Sequence, residues 1–415
     1  MTMKDKPKTL TPKLRFAEFR DGPQWRRQLL GTLFTERQET GITDLPLLSL
    51  TYNGIIPQEE TNRRDNSSVN KSNYLRVVPG DVAYNTMRMW EGRSAYVGQE
   101  GLVSPAYTVC KPTADAYGVF FSYYFKTSPL IEQFRRFSQG LVKDTLNLKF
   151  AAFAQIHVVS PQLPEQQKIA DCLRSLDELI AAEGRKLEVL RAHKKGLMQQ
   201  LFPREGQARP HLRFPEFRYG ATWGTEPLGE IFETMSGGTP DRTKREYWGG
   251  TVPWITTSLV DFNIIREVEE FITEAGLGNS AAKVFPKGTV LVAMYGQGQT
   301  RGKVAILDIE AATNQACAAI LPANGFDPAF TFLSLSGRYD EMRSLSNPGG
   351  QENLSQALIR ELPFYYPNDP AEREKITACL CSLDALITAQ SGKLDGLRAH
   401  KKGLMQQLFP SPEEV

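Results

Sequence analysis

The chain has 415 residues, of which 41% are hydrophobic and 23% charged, and a formal net charge of +2. That length exceeds what a single core usually serves, so two or more domains are expected, and the composition excludes both an acidic disordered chain and a strongly basic one. Any nucleic-acid binding must then rest on local positive charge or on charge brought by a partner. The five cysteines (Cys110, Cys172, Cys317, Cys379 and Cys381) form no CxxC pair and have no matching histidine cluster. That argues against a disulfide framework and a zinc site, and makes a reducing cytoplasm the expected setting. The first residues, MTMKDKPKTLTPKLRF, lack the apolar core of a signal peptide, and no run of about 18 apolar residues occurs elsewhere, so neither export nor a membrane span is expected.

Taken in order, residues 14–36 read LRFAEF, then Trp25, then LGTLFTE; residues 212–234 read LRFPEF, Trp223 and LGEIFET at an offset of 198. Phe16, Phe19, Phe214 and Phe217 are expected to be core anchors, because they sit in a short segment common to both halves. About 130 residues of mixed character follow in each half. Apolar runs such as YLRVV, DVAYN, AYTVC, KGTVLVAM, KVAIL and CAAIL, punctuated by Gly, Pro and Asn, predict strands and turns. Residues 120–137 and 330–345 are expected to form one helix each in matching places. These interiors have diverged far more than their borders, although Asn147-Leu148 still corresponds to Asn353-Leu354.

A long helix is predicted next in each half, with Pro164-Glu165 and Pro370 to Glu372 supplying proline and carboxylate to the first turn. Its ending is repeated letter for letter: LRAHKKGLMQQLFP occupies residues 190–203 and 397–410. Fourteen identical residues at one offset mark an internal duplication. Ile169, Leu173, Leu176, Ile180, Glu183, Leu187, Leu190, Lys194, Leu197 and Leu201 follow heptad spacing, and Ile376, Leu380, Leu383, Ile387, Gln390, Leu394, Leu397, Lys401, Leu404 and Leu408 repeat it. This is a coiled-coil seam, and each helix is the other's natural partner. Gly184, Gly196, Gly392, Gly396 and Gly403 weaken the helices by about 1 kcal/mol apiece relative to alanine, so packing must hold them.

The second globular domain leaves the C-terminal end of helix one and leads into the N-terminal end of helix two. In a parallel pair it would have to bridge most of a helix roughly 55–60 Å long, so the antiparallel arrangement is expected. The fold class is therefore α+β: two globular domains, residues 1–162 and 204–368, separated by two long helices, 163–203 and 369–410, that form an antiparallel coiled coil with a pseudo-two-fold internal repeat. The domains are expected at opposite ends of the resulting rod.

In this order, LRFPEF with Trp223, residues 236–255 (SGGTPDRTKREYWGGTVPWI), GGQENLS, LPEQQKIADCL and the paired KKGLMQQLF endings make the chain resemble the specificity subunit of a type I DNA restriction-modification system. YNTMRMWEG followed by GLVSPAYTV is similar to the interior of target-recognition domains in that family. The resemblance covers nearly the whole chain. It implies that each globular domain is a target-recognition domain reading one half of a split double-stranded DNA sequence, while the helices set the spacing and dock two modification (methyltransferase) subunits. Restriction subunits would add translocation and cleavage. No cofactor is expected in this chain; S-adenosylmethionine and ATP with Mg would belong to the partner subunits. A rod holding two readers apart suits major-groove segments about one helical turn from each other.

No Asn-Pro-Pro-aromatic motif occurs, since glycines follow Asn347-Pro348. GQGQTRGK at residues 296–303 misses a phosphate loop in glycine spacing and in having Val304 where Ser or Thr is needed. A non-catalytic subunit fits. The competing reading is a duplicated coiled-coil scaffold that does not read DNA sequence. An enzyme site within the variable domains ranks third for want of a motif.

Phosphate contact calls for Lys or Arg, and base edges for Arg, Lys, Asn, Gln, Ser or Thr. The candidates in the first domain are Asn62, Arg63, Arg64, Lys71, Arg88, Arg93, Lys143 and Asn147; in the second they are Thr239, Arg242, Lys244, Arg245, Gln297, Gln299, Arg301, Asn347 and Gln351. Any one surface arginine is more often solvated than base-reading, and Trp248 and Trp254 are expected in the core. The basic helix residues Arg185, Lys186, Arg191, Lys194, Lys195, Lys393, Arg398, Lys401 and Lys402 are expected to set register or meet a partner, a solvated face being the other reading. His193 and His400 are expected to be exposed or at an interface rather than to be ligands.

Overall fold

Both halves open and close on the same antiparallel strand pair. In the first, Arg26–Leu29 pairs with His157–Ser160; in the second, Gly224–Pro227 pairs with Pro363–Tyr366. The computed structural model describes residues 12–51, 54–61, 67–204, 206–207, 209–295, 299–345 and 353–410. The chain divides into two units, Met1–Gly184 with Gly392–Val415, and Arg185–Ser391.

In the first unit a four-stranded antiparallel sheet runs in the order Phe34–Glu36, Tyr107–Pro112, Val82–Asn85, Ser94–Tyr96, accompanied by two small antiparallel pairs, Leu48–Thr51 with Gly54–Pro57 and Leu75–Val77 with Gly101–Val103. Its core is aromatic. Phe34, Phe121, Phe125 and Phe153 meet edge to face or tilted at centroid distances of 5.0 to 6.2 Å, and such pairs add to the burial of their area.

The second unit has a five-stranded sheet in the order Thr234–Ser236, Cys317–Ile320, Val290–Ala293, Val304–Leu307, Asn263–Ile265, the last pair parallel. A four-stranded sheet accompanies it: Phe271–Ile272, Trp248–Ile255, Ala311–Thr313, Val284–Phe285. Val304–Leu307 is a strand, as KVAIL suggests.

The two predicted mid-domain helices are each two helices. Gly118–Tyr124 is followed by Ser128–Phe137, and Pro328–Ser336 by Tyr339–Ser344. In the first case Thr127 turns extended ahead of Ser128-Pro129, where proline suits a first turn but not a helix interior. In the second, the break falls at Gly337 and Arg338, and the Arg338 guanidinium donates to Glu341 and to the Pro363 carbonyl. Hydrophobic pattern alone did not register either break.

The long helices are Leu163–Leu201 and Pro370–Leu408, 39 residues each. In the first unit, Ile169 and Leu173 share a core with Leu404, Leu408 and Phe409, and Phe409 stacks on Tyr124 at 5.0 Å. In the second, Leu197 and Leu201 share a core with Ile376 and Leu380. In each unit the start of one helix thus packs on the end of the other, which makes the pair antiparallel. The two seam lysines have acidic partners: Lys401 bonds Asp177 and Lys194 bonds Asp384. Lys393 adds a bond to Glu183. The Lys401–Asp177 and Lys194–Asp384 pairs repeat at equivalent positions, so shifting the register would separate charges in both units. Their half-exposure keeps each contribution modest.

Each long helix is tied to its own half at its first turn. Arg15 forks onto buried Glu165 through Nε and Nη2, both at 2.7 Å, and Arg213 forks onto buried Glu372 at 2.8 and 2.5 Å. Lys168 pairs with Glu18 above the Phe16 ring, and Lys375 pairs with Glu216 above the Phe214 ring. Phe16 and Phe214 are only half-buried, packing against the cores from outside, and Phe19 and Phe217 are also half-buried. None of the four is a central anchor, and Phe16 and Phe214 serve as platforms for the two lysines. Trp25 and Trp223 go deep instead. Among the described residues no helix is long and apolar enough to cross a membrane, and no His, Cys, Asp and Glu cluster could hold a metal ion.

Candidate nucleic-acid interface

The same backbone knot occurs at one sheet end in each unit. In the first, the strand Val82–Asn85 runs into Thr86, whose N–H donates to the Ala106 carbonyl at 3.0 Å and whose carbonyl accepts from Leu148 at 2.9 Å. In the second, Val290–Ala293 runs into Met294, whose N–H donates to Ala316 at 2.8 Å and whose carbonyl accepts from Leu354 at 3.1 Å. Three chain segments meet at each knot: a turn after a central strand, the turn before its neighbour strand, and the Asn-Leu segment preserved in both halves. Most of the described candidates project from the segments it gathers.

In the first unit the turn after Thr86 carries Arg88 and Arg93. Asn85 caps it by accepting from the Met87 N–H at 3.0 Å, buried Met89 plugs it, and Gly92 closes it with φ of +75°, a conformation that favours glycine. Arg88 bonds Glu91 at 3.0 Å and comes within 4.0 Å of Asp144, while Arg93 lies 3.6 Å from the same Glu91. Both arginines keep about half of their surface, so Glu91 positions them without covering them. Lys143 is exposed on the neighbouring segment, and Asn147 ends it. Arg88, Arg93, Lys143 and Asn147 are thus brought together. Asn147 differs from the expectation of an exposed reader: its Oδ1 is buried without a partner among the described residues, and its backbone pairs with Gln139. Lys71 belongs to a different loop, where its ammonium bonds Ser67 and the Ser68 carbonyl and lies 5.5 Å from the Tyr74 ring. Asn62, Arg63 and Arg64 lie outside the described residues.

In the second unit Thr239, Arg242, Lys244 and Arg245 share one exposed loop. Its base is tight: a Cβ on Gly237 would stand 2.0 Å from the Thr313 carbonyl oxygen, and one on Gly238 2.3 Å from the Ala281 backbone. Trp254, buried as expected, donates its indole N–H to Gly238 at 3.1 Å; half-buried Trp248 donates to Asp241 at 3.1 Å. Arg242 lies 3.8 Å from the Trp248 ring and pairs with Glu270 at 2.9 Å, so its guanidinium is held in one plane. The Thr243 N–H and hydroxyl hold the Asp241 carboxyl below its usual range. Lys244 bonds the Tyr247 hydroxyl, which raises its pKa.

Thr239 donates to Gln315 at 2.6 Å, tying this loop to the turn that ends in Ala316 and therefore to the knot. Sequence reasoning missed Gln315, because only the strand register places it there. Gln299 is exposed, and its carbonyl accepts from the Tyr339 hydroxyl at 2.6 Å. Arg301 departs from expectation, being 8% exposed with Nη2 bonded to the Arg343 carbonyl at 2.8 Å. It braces the turn onto Tyr339–Ser344 instead of presenting itself to a ligand. Gln297, Asn347 and Gln351 lie outside the described residues. Two further basic residues, Arg135 and Arg136, are exposed at the end of Ser128–Phe137 and share Glu132, which they hold down at about 2. The FRRF that ends this helix was the signal for them. His193 and His400 are exposed.

A family model described as the type I restriction modification DNA specificity domain matches residues 221–399. Among curated proteins, the type I restriction enzyme MjaIX specificity subunit of Methanocaldococcus jannaschii is 29% identical over 170 residues, 40% of this chain and 38% of that protein. The EcoR124I/EcoR124II specificity subunit of Escherichia coli is 26% identical over 205 residues, 46% of this chain and 50% of that protein. The MjaVIII specificity subunit of M. jannaschii is 24% identical over 360 residues, 81% and 82% of the two chains.

Residues 221–399 are thus similar to the type I restriction modification DNA specificity domain, and 81% of the chain is similar to a type I specificity subunit.

The first two matches span less than two thirds of those relatives' lengths. A similar fold extends over almost the whole chain: the S subunit from M. genitalium superposes with a TM-score of 0.58 at 15% identity, covering 97% of this chain and 99% of that one. A chain from a structure of complex assembly in a type I R-M system gives 0.59 at 15% identity, covering 94% and 98%. Across the two units the repeated knot is one backbone scaffold that holds two sets of side chains that differ.

Proposed function

We propose that this chain is the specificity subunit, the non-catalytic DNA reader, of a type I restriction-modification enzyme, each unit reading one half of a bipartite double-stranded sequence. The long helices set the separation of the half-sites and dock two modification subunits, which carry S-adenosylmethionine; restriction subunits carry ATP and Mg. The cytoplasm is the compartment for such an assembly. One observation carries the reading: the knot at Thr86 and at Met294 is the same in backbone and different in the side chains it presents. A scaffold without sequence reading would need no such divergence at a shared, polar turn. Arg88, Arg93 and Lys143 in the first unit, and Thr239, Arg242, Lys244, Arg245, Gln299 and Gln315 in the second, are the described contact candidates, the cations serving phosphates and the held Arg242 suited to a base edge.

Methylation mapping of a host with and without the gene tests this. The reading expects one split adenine-containing motif to lose its methylation in the deletion. An unchanged methylome, or binding of the reconstituted assembly to DNA without sequence preference, supports the scaffold instead.

A further inference from the structure

In the first unit the segment between the helix Ser128–Phe137 and the knot ends in a tip that exposes two aliphatic side chains, Leu141 at 102% and Val142 at 60% of full exposure. This tip is stiff. Gln139 and Asn147 exchange backbone bonds of 2.9 and 2.8 Å, and the Thr145 N–H and hydroxyl both donate to the Val142 carbonyl, at 2.9 and 3.0 Å. Gly140 turns the chain at φ of +136°, where a Cβ would stand 2.5 Å from the Thr145 carbonyl oxygen. Leu148 fastens the base of the tip to Thr86, next to Arg88, and Arg88 reaches within 4.0 Å of Asp144 on the tip itself. Exposed Lys143 stands beside the two aliphatic residues.

Given the DNA-reading role proposed above, on which this inference rests, we infer that Leu141 and Val142 form a wedge that enters the base stack of the first unit's half-site. An apolar tip flanked by cations matches the chemistry of a duplex: phosphates hold the flank while aliphatic side chains replace part of a base's stacking contact. Stiffness suits the role, because little order is lost when the tip inserts. A protein partner common to both halves is the less favoured occupant. Asn147-Leu148 returns as Asn353-Leu354, yet the residues aligned with Leu141 and Val142 are Asn347 and Pro348. The apolar pair thus belongs to one half alone, as a target-dependent contact would.

The test uses the full chain assembled with its modification subunits and a duplex carrying the mapped motif, with 2-aminopurine placed at successive positions of the half-site. The wedge predicts a fluorescence rise at one step other than the adenine that becomes methylated. L141S/V142S abolishes that rise and weakens cognate binding by roughly ten-fold, without changing modification-subunit assembly. Leu141→Phe retains the rise. Tight cognate binding with no rise at any such step overturns the inference, as does a rise that survives L141S/V142S. Loss of a modification subunit in that variant overturns it in favour of protein docking. Failure of the DNA-reading role has its own signature, in which the wild-type assembly binds cognate and scrambled duplexes alike; the wedge then falls with it.

Discussion

In the first unit Glu165 receives two bonds from Arg15 and a third, at 3.2 Å, from the Trp25 indole; in the second, Glu372 receives two from Arg213, while the buried Trp223 indole meets no acceptor among the described residues. One position further along, Gln166 joins Tyr117, Asp115 and Pro161 in the first unit, and Arg373 joins Pro367 and Gly325 in the second. The charged fork that seats each long helix is therefore common to both units, and its surroundings have been rebuilt. The same division holds at the knots, where the backbone bonds repeat and the side chains do not. Parts that position the helices are held constant, and parts that face outward from the sheet ends are free to change.

The largest effect expected from breaking this comparison is at the forks. Arg15→Ala or Arg213→Ala leaves a buried carboxylate without its cation and should cost about 3–5 kcal/mol, seen in denaturant unfolding of the assembled chain. Similar losses from the two substitutions are expected, since the fork is the shared part. The tryptophans should separate the units. Trp25→Phe removes a hydrogen bond to a carboxylate and Trp223→Phe removes none, so the first should cost more than the second by about 1.5–3 kcal/mol.

Helix glycines come next. A Cβ on Gly196 or on its repeat Gly403 meets nothing within 4 Å among the described residues, so each change to alanine should stabilise by about 1 kcal/mol, and equally, in thermal unfolding of the chain. The smallest effect belongs to one unit only. Glu132, held at about 2 by hydrogen bonds from Arg135 and Arg136, has a depressed folded pKa. Its contribution is present above the ordinary carboxylate range and is lost as pH falls through about 2. An NMR titration of its carboxyl carbon should show that displaced midpoint, and Arg135→Ala with Arg136→Ala should return it towards the ordinary value.

The long helices and their direction were legible from sequence because ten seam positions repeat in heptads and the chain path forbids a parallel pair at small cost. The antiparallel packing of Ile169 and Leu173 with Leu404 and Leu408 matches that reading. Legibility ended where partners are remote in sequence. Nothing in Glu165 or Glu372 alone announces a buried carboxylate, since each reads as an ordinary first-turn acid until Arg15 or Arg213 arrives about 150 residues away. Arg301 looked like a reader because its loop is rich in glycine and glutamine, and it is spent on the Arg343 carbonyl. Arg242 looked like any surface arginine, and the stack on Trp248 with the Glu270 pair makes it one of the best-held cations at the candidate interface. The knots, which organise that interface, depend on strand register and left no pattern beyond the paired Asn-Leu.

The central claim is that each unit reads its own half of one target. Adenine-methylation mapping of hosts carrying the wild-type chain, a chain changed at Arg88 and Arg93, and a chain changed at Thr239 and Arg242 tests it most directly. The account predicts that the first variant relaxes or loses one half of the split motif, that the second does so to the other half, and that the spacing stays fixed in both. Changes that strike both halves together, or a motif indifferent to either pair, would contradict it.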